Sequence, residues 1–299
     1  MILIAGGTGL LGTQIVRLLT DRGLQLRVLT RDPRSAQRLG GGNVEIVTGA
    51  VQDSDAIERA VAGARIVISA IHGFAGTGDS SPRTVDLRGN SALIEAARRG
   101  GAEHFILISV RGAAPDHPIE LFRMKYLAEQ AVKASGMSWT IIRPTAYMET
   151  WAKLIAEPLL KTGKTRVFGR GQNPINFVSA YDVAQFVACA TGEERMRGEA
   201  IEVGGPENLS MRQLAQTVMR VTQVQGAVSS VPLPMMRLTA MLLRPVNATL
   251  ARQIQAGVVM DTRDMSFDPS DMRRRYPSMP YTSLADAIRR DYALLAAAR

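Results

Sequence analysis

The run Gly6-Gly7-Thr8-Gly9-Leu10-Leu11-Gly12 contains glycines at the spacing Gly7-x-Gly9-x-x-Gly12, and their chemistry is the binding of phosphate. Glycine permits a tight turn and lets a pyrophosphate come close to the main chain. A helix beginning just after Gly9 would aim unpaired N–H groups and its positive dipole end at that anion. The pattern alone is weak, but its surroundings strengthen it. Apolar Ile2 to Ala5 precedes it, and Leu11, Ile15, Leu18 and Leu19 follow at helical spacing until Gly23. The arrangement predicts a dinucleotide whose pyrophosphate meets Gly6, Gly7, Thr8, Gly9, Leu10, Leu11 and Gly12.

The second strand ends in Leu29-Thr30-Arg31-Asp32-Pro33-Arg34, about 20 residues past the glycines, where an acid usually takes the ribose 2′-hydroxyl of NAD. Arg31 stands there with a planar fork suited to a 2′-phosphate, and Arg34 is a second candidate. NADP(H) is therefore expected over NAD(H). The competing reading leaves Arg31 in solvent and gives Asp32 the acid's part.

These residues need a sheet to carry them, and the first half of the chain supplies its signals. Strands are predicted at Ile2 to Ala5, Leu24 to Thr30, Val44 to Val47, Arg65 to Ala70, Phe105 to Val110 and Ser138 to Ile142. Helices are predicted at Leu10 to Arg22, Asp55 to Ala62, Val85 to Arg99 and Ile119 to Ala134. Such alternation predicts right-handed βαβ units and a doubly wound parallel Rossmann sheet over residues 1–150. Residues 151–299 mix short strands with helices, which predicts a smaller α+β substrate region interleaved with the first and a ligand crevice between them.

Composition narrows the partners. The chain has 299 residues, 36 Lys and Arg against 27 Asp and Glu, a net charge of +9 and a single cysteine. Cys189 alone can form no intramolecular disulfide, and no Cys/His cluster has metal spacing, so no metal and a reducing, cytoplasmic setting are expected. The charge first suggests nucleic acid or an anionic membrane. Aromatics are only 5%, no DNA-reading motif is present, and the basic residues are mixed with acids along most of the chain, so nucleic acid is not expected. The fold is expected to start at Met1 with no leader. The apolar stretch Pro232 to Val246 is broken by Pro234, Arg237, Arg244 and Pro245, short of a membrane span, and reads as a Met-rich amphipathic helix lining a core or adaptable pocket.

GGTGLLG, the TRDP turn, VTGAVQD, ISAI, FILISV, the helix Lys125-Tyr126-Leu127-Ala128-Glu129 and IIRPTAYME together resemble the NmrA-like branch of the atypical short-chain dehydrogenase/reductases. The resemblance covers about the first 210 residues, including FVSAYDVAQFV and GGPENLSMRQLA. It implies a Rossmann domain binding NAD(P)(H), and activities from quinone reduction to cofactor sensing without catalysis. It puts the adenine near Ala50 and Val51, where relatives often carry Asp in place of Ala50. Ala70-Ile71-His72-Gly73-Phe74 would pass the nicotinamide ribose. Ser109 matches the dehydrogenase serine and Lys125 the lysine of the Tyr-x-x-x-Lys pair, both as catalytic candidates. The position four before Lys125 is Leu121, so the tyrosine acid is missing. Lys125 can hold ribose hydroxyls, polarise a carbonyl or donate a proton, or be a solvated helix lysine.

Pro144 and Tyr147, at the end of the sixth strand, complete the expected cofactor contacts. His72, Phe74, Tyr147, Met148, Trp151 and Phe177 are the substrate candidates, with interdomain packing as the other reading for the aromatics; Met235 and Met236 extend that surface. His104 is expected to cap a strand and Cys189 to fill a core. Ser109 and His72 make no hydrolase pair without a G-x-S-x-G elbow. The expected activity is NADPH-dependent hydride delivery to a small hydrophobic quinone, enone or carbonyl acceptor. A non-catalytic NADP(H)-binding sensor or accessory protein is the second reading.

Overall fold

The apolar run Ile2–Ala5 forms β1, covered on both faces, in the computed structural model, which describes residues 1–37, 39, 42–74 and 76–297. Both faces of a parallel strand are buried under crossover helices, so such strands read as continuous apolar runs. The chain then alternates: α1 (Leu10–Asp21), β2 (Leu26–Thr30), α2 (Pro33–Gln37), β3 (Val44–Thr48), α3 (Ser54–Val61), β4 (Ile66–Ser69), α4 (Asn90–Arg99), β5 (His104–Ile108), α5 (Glu120–Lys133) and β6 (Ser138–Pro144). There follow β7 (Ala146–Tyr147), α6 (Met148–Thr162), β8 (Lys164–Phe168), β9 (Ile175–Val178), α7 (Ala180–Ala190), β10 (Glu199–Val203), β11 (Asn208–Leu209), α8 (Met211–Thr222), β12 (Ala227–Val231), α9 (Leu233–Leu243), α10 (Ala248–Thr262), α11 (Ser270–Arg275) and α12 (Leu284–Ala297).

The chain divides into two units, one of Met1–Pro144 with Val183–Glu202, the other of Thr145–Asp182 with the chain from Val203 onward. The first holds the sheet of order β10-β6-β5-β4-β1-β2-β3. Strands β1 to β6 pair parallel throughout, as in Ile4 opposite Val28 and Ile68, the doubly wound Rossmann order. Leu3, Leu93, Phe105, Leu107, Ala128 and Val132 pack one face without solvent contact. Each such Leu, Ile or Phe contributes about 1.5–3 kcal/mol. The strand order switches between β1 and β4, the place where such sheets bind ligands at the carboxyl ends of their strands.

Two local differences from the sequence expectation have clear causes. β2 starts at Leu26, not Leu24, because Gly23 turns with φ 74° and Leu24 N–H closes back on Leu19 O. The expected helix from Val85 begins instead as a π-helical turn, Arg83–Gly89, before α4. The Asn90 side-chain amide donates to Asp86 O at 2.7 Å, taking the carbonyl that a regular α-helix would pair with the Asn90 N–H.

The second unit is built on its own core of Ile155, Leu159, Phe177, Leu214, Val218 and Leu284. β7-β9-β11 and β8-β12 form two small sheets. Helix α8 starts in a reciprocal cap, Ser210 Oγ accepting from Gln213 N and Gln213 Oε1 from Ser210 N. Cys189 is half-buried, with its thiol pushed up by desolvation and the nearby Glu193 charge. Among the described residues no helix is long and apolar enough to cross a membrane, and no group of His, Cys, Asp and Glu could hold a metal ion.

Candidate functional site

The glycine turn lies at the carboxyl end of β1. Gly6 adopts φ 84°, and a Cβ there would come 2.7 Å from Ala70 O; a Cβ on Gly12 would strike the Gly6 carbonyl, and one on Gly7 the Val28 side chain at 2.8 Å. The sequence therefore needs bare backbone at these positions for the turn, the Ala70–Ile71 segment and α1 to approach each other. Gly9 is the N-cap of α1 and no side chain caps that end. The first-turn N–H groups thus point outward with the helix dipole behind them, an arrangement that fits a dinucleotide pyrophosphate. Thr8 is half-buried and Leu10 exposed beside them, while Leu11 is buried.

Thr8 Oγ1 and Thr30 Oγ1 meet at 3.3 Å, tying the turn to the end of β2. Arg31 follows, exposed, its Nη1 donating to Ser80 Oγ at 3.0 Å. The Asp32 carboxylate is turned into α2, accepting from Arg34 N at 3.0 Å and Ser35 Oγ at 2.6 Å. Arg34 is exposed. Ala50 and Val51 are half-buried just past β3, and Gly89 lets Val51 pack closely against the π-turn.

Lys125 is buried on the inner face of α5, 3% exposed. Its Nζ donates to Ile71 O and to Ile108 O, each at 2.8 Å, and faces Asp86 Oδ1 at 3.0 Å. The other Asp86 oxygen accepts from Gly73 N at 2.7 Å. One ion pair therefore joins α5, the π-turn, the end of β5 and the loop after β4. Asn90, one turn on from Asp86, accepts from Ser69 Oγ at 2.6 Å and continues the network into β4. His72 remains exposed in the held loop and Phe74 half-buried. Desolvation by the surrounding chain, then the Lys125 ammonium, lower the His72 pKa, opposed by Asp86.

Ser109 is buried at the end of β5, its hydroxyl donating to Glu129 Oε1 at 2.5 Å. Arg143 holds the same carboxylate through both oxygens, at 2.9 and 2.5 Å. Pro144 is buried, and its carbonyl accepts from Arg111 N at 2.9 Å.

The structure thus brings Gly6 to Gly12, Arg31, Ala70 to His72, Ser109 and Lys125 to the carboxyl end of one sheet. Tyr147, Met148, Trp151 and Phe177, with Met235 and Met236, lie in the second unit. Tyr147 is half-buried, its phenol pushed up by desolvation and by Glu149, and Trp151 is half-buried and edge-on to Phe168 at 6.4 Å between ring centroids. Met148 and Phe177 sit inside that unit's core. Met236 is buried and Met235 exposed. His104 opens β5 as expected but caps nothing; it is buried, with Nε2 2.9 Å from Thr140 Oγ1.

Asp86, Asn90 and Glu129 escaped sequence reasoning. Their signal was polar side chains at inward helix positions: Asp86 and Asn90 stand four apart beside Val85, Gly89 and Leu93, and Glu129 stands four after Lys125. The last pair reads as a surface i,i+4 bridge, but the structure splits it between Asp86 and Arg143.

A family model described as NAD(P)H-binding matches residues 6–194. The chain is 31% identical over 215 residues to an NAD(P)H azoreductase of Xenophilus azovorans, covering 72% of this chain and 71% of that protein. It is 28% identical over 237 residues to the photosystem II assembly factor Ycf39 of a Synechocystis strain, covering 79% and 72%. Its fold superposes with a TM-score of 0.78 on an Escherichia coli NADPH-dependent quinone oxidoreductase solved with NADPH, at 21% identity and covering 98% of this chain and 100% of that one.

Proposed function

Because the chain belongs to the NAD(P)H-binding family, in the NmrA-like branch of the atypical short-chain dehydrogenase/reductases, we propose that it is a reductase that draws on NADPH and reduces a small hydrophobic quinone, enone or carbonyl acceptor. The observation that carries this reading is the end of β2 beside the glycine cradle: Arg31 is exposed there while the Asp32 carboxylate is turned away into α2. A guanidinium suits a 2′-phosphate, and an acid occupied by its own helix is a poor partner for ribose hydroxyls.

When bound, the nicotinamide cofactor supplies a hydride. The chain's part is to hold and orient. Gly6 to Gly12 take the pyrophosphate, Arg31 and Arg34 the 2′-phosphate, Ala50 and Val51 the adenine, and Ala70 to His72 the ribose side, with Pro144 as a further contact. Lys125 acts by pinning the loop that carries Ile71 and His72, and Ser109 by fixing Glu129. With Leu121 apolar and Lys125 engaged three ways, α5 offers no acid at this position. This favours acceptors whose reduced anion is stable in water, a quinone before a simple ketone. Phe74 is proposed to line the cofactor loop.

The same engagement of Lys125 favours a second reading, an NADP(H)-occupied sensor or accessory protein. The two separate in one experiment: titrate with NADPH and NADH, then follow cofactor oxidation with a panel of quinones, enones and carbonyls. The reductase reading expects NADPH consumption with at least one quinone. Tight NADPH binding without consumption by any acceptor overturns it in favour of the sensor.

A further inference from the structure

Helix α9 presents the wrong face to water. Leu238, Met241 and Leu242 are 54%, 65% and 61% exposed, Met235 51%, and Val246 in the following turn 84%. Only Met236 of this helix is buried, its sulfur accepting from Gly169 N at 3.3 Å. The amphipathic helix expected to line a core or pocket instead turns most of its apolar side outward. At ~100° per residue, Met235, Leu238 and Leu242 share one face with Met241 beside them, and Arg237 and Arg244, seven apart, lie together along its Met241 edge.

The charge along this part of the sequence is one-sided. Residues 208–260 contain five arginines and not one Asp, Glu or Lys, whereas acids and bases are mixed along most of the rest of the chain. We infer that α9 is an interfacial anchor that lays its apolar face on an anionic lipid surface, with Arg237 and Arg244 at the headgroups. An apolar stripe edged by long cationic side chains has the composition of helices that lie in the plane of a membrane interface. Eleven residues are too few to span, since about 20 are needed. A second copy of this chain would bring the same acid-free, arginine-only segment against itself, so like charges would oppose pairing through this face. A nucleic acid would meet the arginines and leave the leucines and methionines uncovered.

The test is flotation of the full chain with vesicles of phosphatidylcholine alone or mixed with phosphatidylglycerol, with light scattering to give the oligomeric state. Binding is expected to the mixed vesicles only, and to weaken with salt. Leu238→Gln with Leu242→Gln should abolish it. Arg237→Gln with Arg244→Gln should weaken it about thirtyfold, at ~1 kcal/mol per basic residue near the surface. These side chains are exposed, so the variants should keep the wild-type circular dichroism. Equal binding to both vesicles, binding to neither, or unchanged binding by the leucine variant overturns the proposal. So does a dimer that the leucine variant splits, which would assign the face to a second copy.

Discussion

His104 shows how a single side chain ties this fold to pH. Thr140 Oγ1 donates to Met196 O at 2.7 Å, so it accepts from His104 Nε2–H, and the ring is the neutral Nε2–H tautomer. Its Nδ1 is buried without a hydrogen-bond partner among the described residues. Protonation there would bury an unpaired N–H and a charge. Burial first, then the Arg197 charge, lowers its pKa from 6.5 to about 4. A depressed folded pKa means that the folded state binds fewer protons than the unfolded one. The contribution is full above pH 6.5, falls as pH drops from 6.5 towards about 4, and levels below that. The loss should reach about 3 kcal/mol. Glu149, Asp182 and Asp291, all with pKa raised chiefly by desolvation, act in the opposite sense, so the quantity to measure is a difference. Urea unfolding at several pH values should show a shallower acid loss for His104→Gln than for wild type; parallel curves would refute this assignment. At this scale the sequence was partly legible. Lys125 was marked by resemblance, but nothing in a linear chain says that its partner lies 39 residues upstream at Asp86 rather than at Glu129 one turn away.

Elements were more legible than their joints. Strands of unbroken apolar residues and helices closed by Gly23, Gly100 and Gly136 appear where periodicity and stop signals put them, since burial on both faces leaves little alternative register. The π-turn at Arg83–Gly89 was not legible, because it depends on the Asn90 amide displacing a main-chain bond. The orientation of α9 was also hidden, since a Met-rich pattern does not say which way its apolar face turns. The Lys125–Asp86 pair acts at this scale, as a joint between α5, the π-turn, β5 and the loop after β4. Removing one member of a buried pair strands the other's charge, at about 3–5 kcal/mol. Asp86→Ala should lose that much stability in denaturant unfolding, and NADPH binding should weaken as the loop of Ile71 and Gly73 is released. A cost below about 1 kcal/mol, as for an exposed pair, would show that the joint is not held by this ion pair.

For the whole molecule, the net charge of +9 divides into parts with different meanings. Many arginines sit in exposed pairs such as Arg65–Glu103 and Arg98–Glu95, which contribute little. Those of residues 208–260 have no acid within their segment, and two of them, Arg237 and Arg244, edge an apolar face. Arg31, exposed at the end of β2, is the one proposed to decide cofactor choice. The most direct measurement is the catalytic efficiency of wild type and Arg31→Ala, with NADPH and with NADH, against one quinone in one assay. A charged hydrogen bond to the 2′-phosphate contributes about 1.5–3 kcal/mol, so Arg31→Ala should lose about tenfold to a hundredfold with NADPH and almost nothing with NADH. Equal losses with both cofactors, or no turnover by the wild type with either, would contradict the account.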